Sequence, residues 1–278
     1  VHIVAPVVVV HMAGSIRYDL EGQSAIVTGS TSGIGRGIAR AFAEADGDVV
    51  INSRTEADVR DVADELDDCG SGSVVGVTAD VQDPESIETL VERAVAEFGT
   101  IEILVNNAAI WPMEDAMIET DLQDWDTTMA VNVRAHYYAS KLVAEHMKAS
   151  DVDGRIVSVT SQTGDRRTGT RGLYGVSNTA INGLVWRMAG ELAEHGIRMN
   201  AVSTDLVETR QVRLEARAVS DATGQTVDEV LDEWGADLPL GRIGQPSDVA
   251  DAVLFLTSSM SDYVVGNIVR VAGGGNLR

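Results

Sequence analysis

The chain has 278 residues and a mass of 29.5 kDa, long for one ordinary domain and short for two, with 44% hydrophobic residues. That content suits a buried core and excludes a disordered chain. With 43 acids against 21 bases the formal charge is −22, which repels phosphate backbones and anionic lipid and sets aside nucleic-acid and membrane partners. The bases are uneven: Lys141 and Lys148 are the only lysines and the other 19 are arginines, while 25 Asp outnumber 18 Glu. Such a surface repels itself unless salt screens it, so the composition points to a halophilic, high-salt cytoplasm. The single cysteine, Cys69, permits no internal disulfide, which suits a reducing, cytoplasmic location.

In chain order, residues 3–10 (IVAPVVVV) form an apolar run too short to span a bilayer and interrupted by Pro6. Residues 1–12 read as a leader or vector-derived extension with Met12 as the natural start, and 13–278 as one domain. From residue 24 onward, apolar runs of strand length (24–29, 48–53, 73–79, 101–108, 155–161, 197–203, 267–273) alternate with helical patterns. The helices are expected over 33–45, 57–69, from Pro84, over 122–147 and 174–195, and over 246–257. Pro84 suits a first helical turn, and Glu85, Glu88 and Glu92 suit the helix dipole. A polar helical excursion occupies 206–236. Near-continuous Val/Ile runs imply strands covered on both faces, hence an α/β fold with a doubly wound (Rossmann) parallel seven-stranded sheet and helices on both faces.

The first of these strands runs straight into Thr28-Gly29-Ser30-Thr31-Ser32-Gly33-Ile34-Gly35 and then a helix. Glycines let a backbone turn tightly and approach a pyrophosphate, whose charge sits on the helix N-terminus. The order strand, glycines, helix predicts dinucleotide binding through Gly29, Ser30, Ser32, Gly33, Ile34 and Gly35.

TGSTSGIG, NNAA at 106–109, Asn132, the Ser161-x12-Tyr174 pair and NAVS at 200–203 together resemble the short-chain dehydrogenase/reductase family, over roughly residues 20–275. The resemblance implies hydride transfer between a nicotinamide cofactor and a small carbonyl or alcohol. It implies Tyr174 as proton donor and acceptor, Ser161 as the polarising hydroxyl and Asn132 as anchor of a relay water. Asp80 and Val81 would flank the adenine, Asn107, Ala108 and Ala109 would line the cofactor trough, and Thr209 would contact the carboxamide. No metal is expected.

After the second strand no acid precedes Glu56, whereas Arg54 could pair with a 2′-phosphate, so NADP(H) is preferred with NAD(H) possible. Four positions after Tyr174, where the family has lysine, stands Asn178; it lies on the same helix face and brings no charge to stabilise a phenolate. Two further departures are Thr204-Asp205 in place of Pro-Gly, and Ala272 where an acid usually precedes Gly273 and Gly274. These leave open a working enzyme rescued by another cation, a position disabled by alteration, or a nucleotide-binding sensor or scaffold without turnover. Arg166, Arg167 and Arg171 are the nearest rescuers; the three either form a cationic rim for an anionic substrate such as a sugar acid, keto acid or acyl thioester, or pair with local acids such as Asp165 or lie at a subunit contact. Trp111 and Gln162 complete the expected substrate wall, with 206–236 as a lid. The resemblance further implies a homotetramer or homodimer built on the two long helices.

Overall fold

The structure is a computed structural model that describes residues 10–12, 15–111, 116–166 and 171–277. Much of the expected leader, together with Arg167, therefore lies outside the described residues. Two short strands, β1 (Val10–Met12) and β2 (Ser15–Arg17), pair with each other in antiparallel register and stand apart from the main sheet.

The elements then alternate as the periodicity predicts. They run β3 (Ser24–Val27), α1 (Gly33–Glu44), β4 (Asp48–Ser53), α2 (Glu56–Asp67), β5 (Val74–Thr78), α3 (Pro84–Phe98) and β6 (Ile103–Asn106). Next come α4 (Leu122–Thr128), a π-helical turn (Met129–Arg134), α5 (Ala135–Ala149), β7 (Arg155–Ser161), α6 (Gly172–Ala193) and β8 (Arg198–Thr204). The chain closes with α7 (Arg210–Thr223), α8 (Val227–Ala236), α9 (Pro246–Thr257) and β9 (Ile268–Val271). The seven-stranded sheet has the order β5-β4-β3-β6-β7-β8-β9 and every pairing is parallel.

The central strands alternate between two cores rather than between core and water, which is why they read as apolar runs, whereas the edge strands β5 and β9 are partly exposed. Ala25, Val27, Val49, Ile51, Ile103 and Val105 pack with Ile38, Phe42, Val253 and Leu256 of α1 and α9. Ile26, Val50, Leu104 and Ile156 face the other way, onto Leu90, Val143 and Val185 of α3, α5 and α6. Because β3 lies between β4 and β6, the chain reverses its winding there and opens a crevice at the carboxyl ends of these strands.

One expectation needs correction and one gains detail. The helix expected over 122–147 is broken by the π turn, in which the Asn132 side chain bonds the Ile110 backbone instead of lying along a regular helix surface. The 206–236 excursion is two helices, capped by Thr209 and by a Thr226–Glu229 capping box around a small core of Val212, Ala216, Val230, Leu231 and Ile243. Among the described residues no helix is long and apolar enough to cross a membrane.

Candidate active site

The loop after β3 is shaped by close packing against the segment that follows β6. Gly29 has φ of +63°, and a Cβ there would lie 2.9 Å from Ala108 Cα. Thr28 Oγ1 accepts from the N–H groups of Asn107 (2.9 Å) and Ala108 (3.0 Å), and Asn107 Nδ2 donates to the carbonyls of Thr28 (2.9 Å) and Gly29 (3.1 Å). Asn52, enclosed in β4, donates to the Val77 and Ala79 carbonyls and accepts a long bond (3.4 Å) from Gly29 N–H. Ser30 departs from its expected role as a cofactor contact. Its side chain is fully enclosed, donating to Val27 O (2.7 Å) and accepting from Asn52 N–H (2.8 Å), so it braces β3 against β4.

Ser32 starts α1 in an extended conformation with no side-chain cap, and the first turn carries no acid. The positive end of α1 is therefore free of a competing anion, which fits the pyrophosphate of a dinucleotide. Gly33, with φ of +54°, would bring a Cβ within 3.3 Å of Thr209 Cγ2, so the start of α7 lies against this cradle. Arg54 is exposed one residue beyond β4. Asp80 and Val81 follow β5 at the same edge, with Asp80 accepting from Gln82 N–H and Val81 buried. Ile34 and Ala108 are half-buried and Ala109 is exposed. Beneath Ala108, His136 is enclosed with Nε2 3.3 Å from the Ala108 carbonyl; burial lowers its pKa to about 4, so the ring is neutral at pH 7.

At the neighbouring edge, Ser161 ends β7 and Tyr174 lies in the first turn of α6, so a strand terminus and a helix start converge. The Tyr174 ring stacks on Trp111, with centroids 5.6 Å apart and planes 18° apart. Burial raises the Tyr174 phenol above its usual value, while the Asn178 amide, the Arg171 guanidinium and the Ser161 hydroxyl each act to lower it. Asn178 is enclosed and its amide is engaged at both ends. Nδ2 donates to the Tyr174 carbonyl (2.8 Å) and Oδ1 accepts from Thr160 Oγ1 (3.0 Å). Asn132 is also enclosed, and both amide hydrogens are spent, on Ile110 O (2.9 Å) and Ser177 Oγ (3.1 Å). Gln162 is 2% exposed and its Nε2 has no partner among the described residues, an orphan donor beside Ser161.

Of the three arginines expected near this edge, the two described, Arg166 and Arg171, are ion-paired. Arg166 holds Asp205 at 2.9 Å and Arg171 holds Glu215 of α7 at 3.2 Å, because the acids of the loop after β8 and of α7 face this edge. Several residues that build the site carry only weak sequence signals. Thr28 and Asn52 are polar residues closing apolar strand runs, a pattern that could have marked them. The Trp111–Tyr174 stack and the Arg171–Glu215 pair join residues more than 40 positions apart and leave no local trace.

Residues 29–276 match the family model described as enoyl-(acyl carrier protein) reductase. The chain is 34% identical over 257 residues to 2-dehydro-3-deoxy-D-gluconate 5-dehydrogenase of Escherichia coli (strain K12), covering 92% of this chain and 96% of that one. It is 32% identical to 3-oxoacyl-(acyl-carrier-protein) reductase of Vibrio cholerae, covering 92% and 98%. The solved L-sorbose reductase of Gluconobacter frateurii, complexed with NADPH and L-sorbose, superposes with a TM-score of 0.88 at 26% identity, covering 92% of this chain and 97% of that one. The match across nearly the whole chain, on a cradle and a Ser–Tyr edge of this geometry, establishes that the chain belongs to the short-chain dehydrogenase/reductase family and is an NAD(P)-dependent oxidoreductase of small-molecule carbonyls and alcohols.

Proposed function

We propose that the protein prefers NADP(H) and interconverts a small polar ketone, of the sugar or keto-acid type, with its alcohol. The observation that carries this reading is the convergence of Ser161 and Tyr174 at the carboxyl edge of the sheet, beside the glycine cradle. When bound, the nicotinamide supplies or accepts the hydride. In reduction Tyr174 Oη gives its proton to the carbonyl oxygen, and in oxidation it takes the alcohol proton; Ser161 Oγ holds that oxygen. Asn178 braces the first turn of α6 through the Tyr174 carbonyl and keeps the phenol in place. Asn132, its amide hydrogens already committed, would anchor a relay water through its backbone carbonyl in the π turn rather than through its side chain.

The backbone of Gly29, Ser32, Gly33, Ile34 and Gly35 would hold the pyrophosphate, with Asn107, Ala108 and Ala109 lining the trough and Thr209 approaching from α7. Asp80 and Val81 would flank the adenine. Arg54 supports NADP(H) because it stands exposed past β4 with no acid before Glu56. Trp111, the orphan amide of Gln162 and the paired Arg166 would form the substrate wall. This polar lining, and the sugar-type ketones in the names of two relatives, favour a polyhydroxylated substrate over a 3-oxoacyl thioester. Helices α7 and α8 would act as the lid. Exposed Tyr137 on α5 and Trp186 on α6 support assembly of two or four copies through these helices, and the acidic, single-cysteine composition supports a salty, reducing cytoplasm.

A second reading, cofactor binding without turnover, is favoured by one feature: Asn178 is neutral and fully engaged. Fluorescence titration with NADPH and NADH in molar KCl, followed by a panel of L-sorbose, keto acids and a 3-oxoacyl thioester, separates the readings. NADPH binding about tenfold tighter than NADH, with turnover of a polar ketone, is expected. Tighter NADH binding would remove the cofactor preference, and binding without any turnover would favour the second reading.

A further inference from the structure

Arg171 combines three features that no capping role explains. It precedes α6 with φ of +72° and ψ of +45°, a left-handed conformation that a non-glycine residue rarely adopts, and its side chain makes no cap hydrogen bond. Its guanidinium lies 3.5 Å from the centroid of the Trp111 ring, a cation–π contact. The same Trp111 ring stacks on Tyr174, and Arg171 Nη2 donates to Glu215 Oε2 of α7 at 3.2 Å.

We infer that Arg171 is a positioning residue that brings to Tyr174 the positive charge Asn178 does not supply, with Trp111 as its seat and Glu215 of α7 as its counter-charge. Asn178 stands one turn after Tyr174 and is neutral; Arg171 stands one turn before it and is charged. The strained backbone at 171 aims the side chain back over Trp111. Among the described residues, Arg171 is the charged group that acts on the phenol, in the lowering direction. Glu215, itself bonded by Gln211 Nε2 at 3.2 Å, partly cancels that charge. A movement of α7 that loosens the Arg171–Glu215 pair would strengthen the field at Tyr174, so the position of α7 and the acidity of the proton donor are linked. This rests on the reading of Tyr174 as the acid and base.

The test reads the phenol directly and needs no substrate. Fluorotyrosine placed at 174 in the full chain lowers the phenol into the range where the fold survives, and fluorine NMR follows its ionisation. In Arg171→Gln the ionisation constant should fall about tenfold, moving the midpoint to higher pH. Arg171→Lys should recover most of that loss, and Glu215→Gln should move the midpoint the opposite way, to lower pH. Gln and Lys carry the same backbone strain as Arg, so the three chains are comparable in fold. An unmoved midpoint in Arg171→Gln, an equal shift in Arg171→Lys, or a rise in Glu215→Gln would overturn the inference. Should Arg171→Gln misfold, Glu215→Gln decides alone: a lower midpoint supports the inference and an unchanged one refutes it. If the midpoints move as expected but Tyr174→Phe keeps full turnover, the electrostatic link stands and the assignment of Tyr174 as acid and base falls.

Discussion

Replacing Asn178 with lysine tests the missing charge most simply. Asn178 is 2% exposed and makes two hydrogen bonds, to the Tyr174 carbonyl and from Thr160 Oγ1. Lysine keeps a donor for the carbonyl but leaves Thr160 Oγ1, itself buried, without its acceptor. A buried hydroxyl so orphaned costs about 2 kcal/mol, which lowers the Tm of a chain of this size by roughly 4 °C. Against this loss, a second cation beside the phenol favours its ionised form. Because Arg171 already acts in that direction, the added gain in alcohol oxidation at pH 7 should be about tenfold, or about 1.4 kcal/mol of barrier. Steady-state NADPH formation and consumption, measured beside thermal unfolding of both chains, provides the comparison. The two effects have opposite signs, so a folded variant that is less stable yet faster is the expected result. A folded Asn178→Lys chain with unchanged or reduced turnover would refute the view that charge at this position limits proton transfer.

Because burial holds the Tyr174 phenol above its usual value, it is protonated at neutral pH and its ionised form grows as pH rises. Alcohol oxidation should therefore climb about tenfold per pH unit through the neutral range, and a flat profile would mean that another group takes the proton. Arg54→Gln should weaken NADPH binding about tenfold while leaving NADH binding unchanged, as measured by nucleotide fluorescence; equal loss for both would make Arg54 a general loop residue. Gly35→Ala would drive a Cβ into the Gly29 carbonyl oxygen and Asn107 Nδ2. It should lower stability by about 2 kcal/mol and abolish NADPH binding, whereas retained binding would show that the loop can shift without harm.

The parallel sheet was legible because its central strands are buried on both faces, so the stretches 25–27, 49–51 and 103–105 carry continuous apolar signals. The cradle was legible because its glycines are local and positional. What the sequence concealed was the use of polar side chains. Ser30 and Asn132 stand at positions read as cofactor and relay contacts, yet their hydrogen-bonding atoms turn inward to Val27, Asn52, Ile110 and Ser177. Backbone partners in three dimensions settle such choices, and spacing along the chain carries no trace of them. The arginines between Ser161 and Tyr174 were equally ambiguous. Their cluster suggested either a cationic rim or pairing with local acids such as Asp165, but the acids that pair with Arg166 and Arg171 arrive from after β8, some 40 residues further on. The break at Met129–Arg134 was hidden for the same reason, since the apolar period of 122–147 continues across it.

The central claim, that Tyr174 handles the proton while the cradle presents the hydride source, has a direct measurement. NADPH deuterated at its transferable position is incubated with L-sorbose, or with the first keto acid or 3-oxoacyl thioester found to react, and the alcohol is analysed by mass spectrometry. The parent chain should place deuterium on the new alcohol carbon. Tyr174→Phe should bind NADPH with the same affinity and transfer little or none. Transfer by Tyr174→Phe at the rate of the parent would contradict the account.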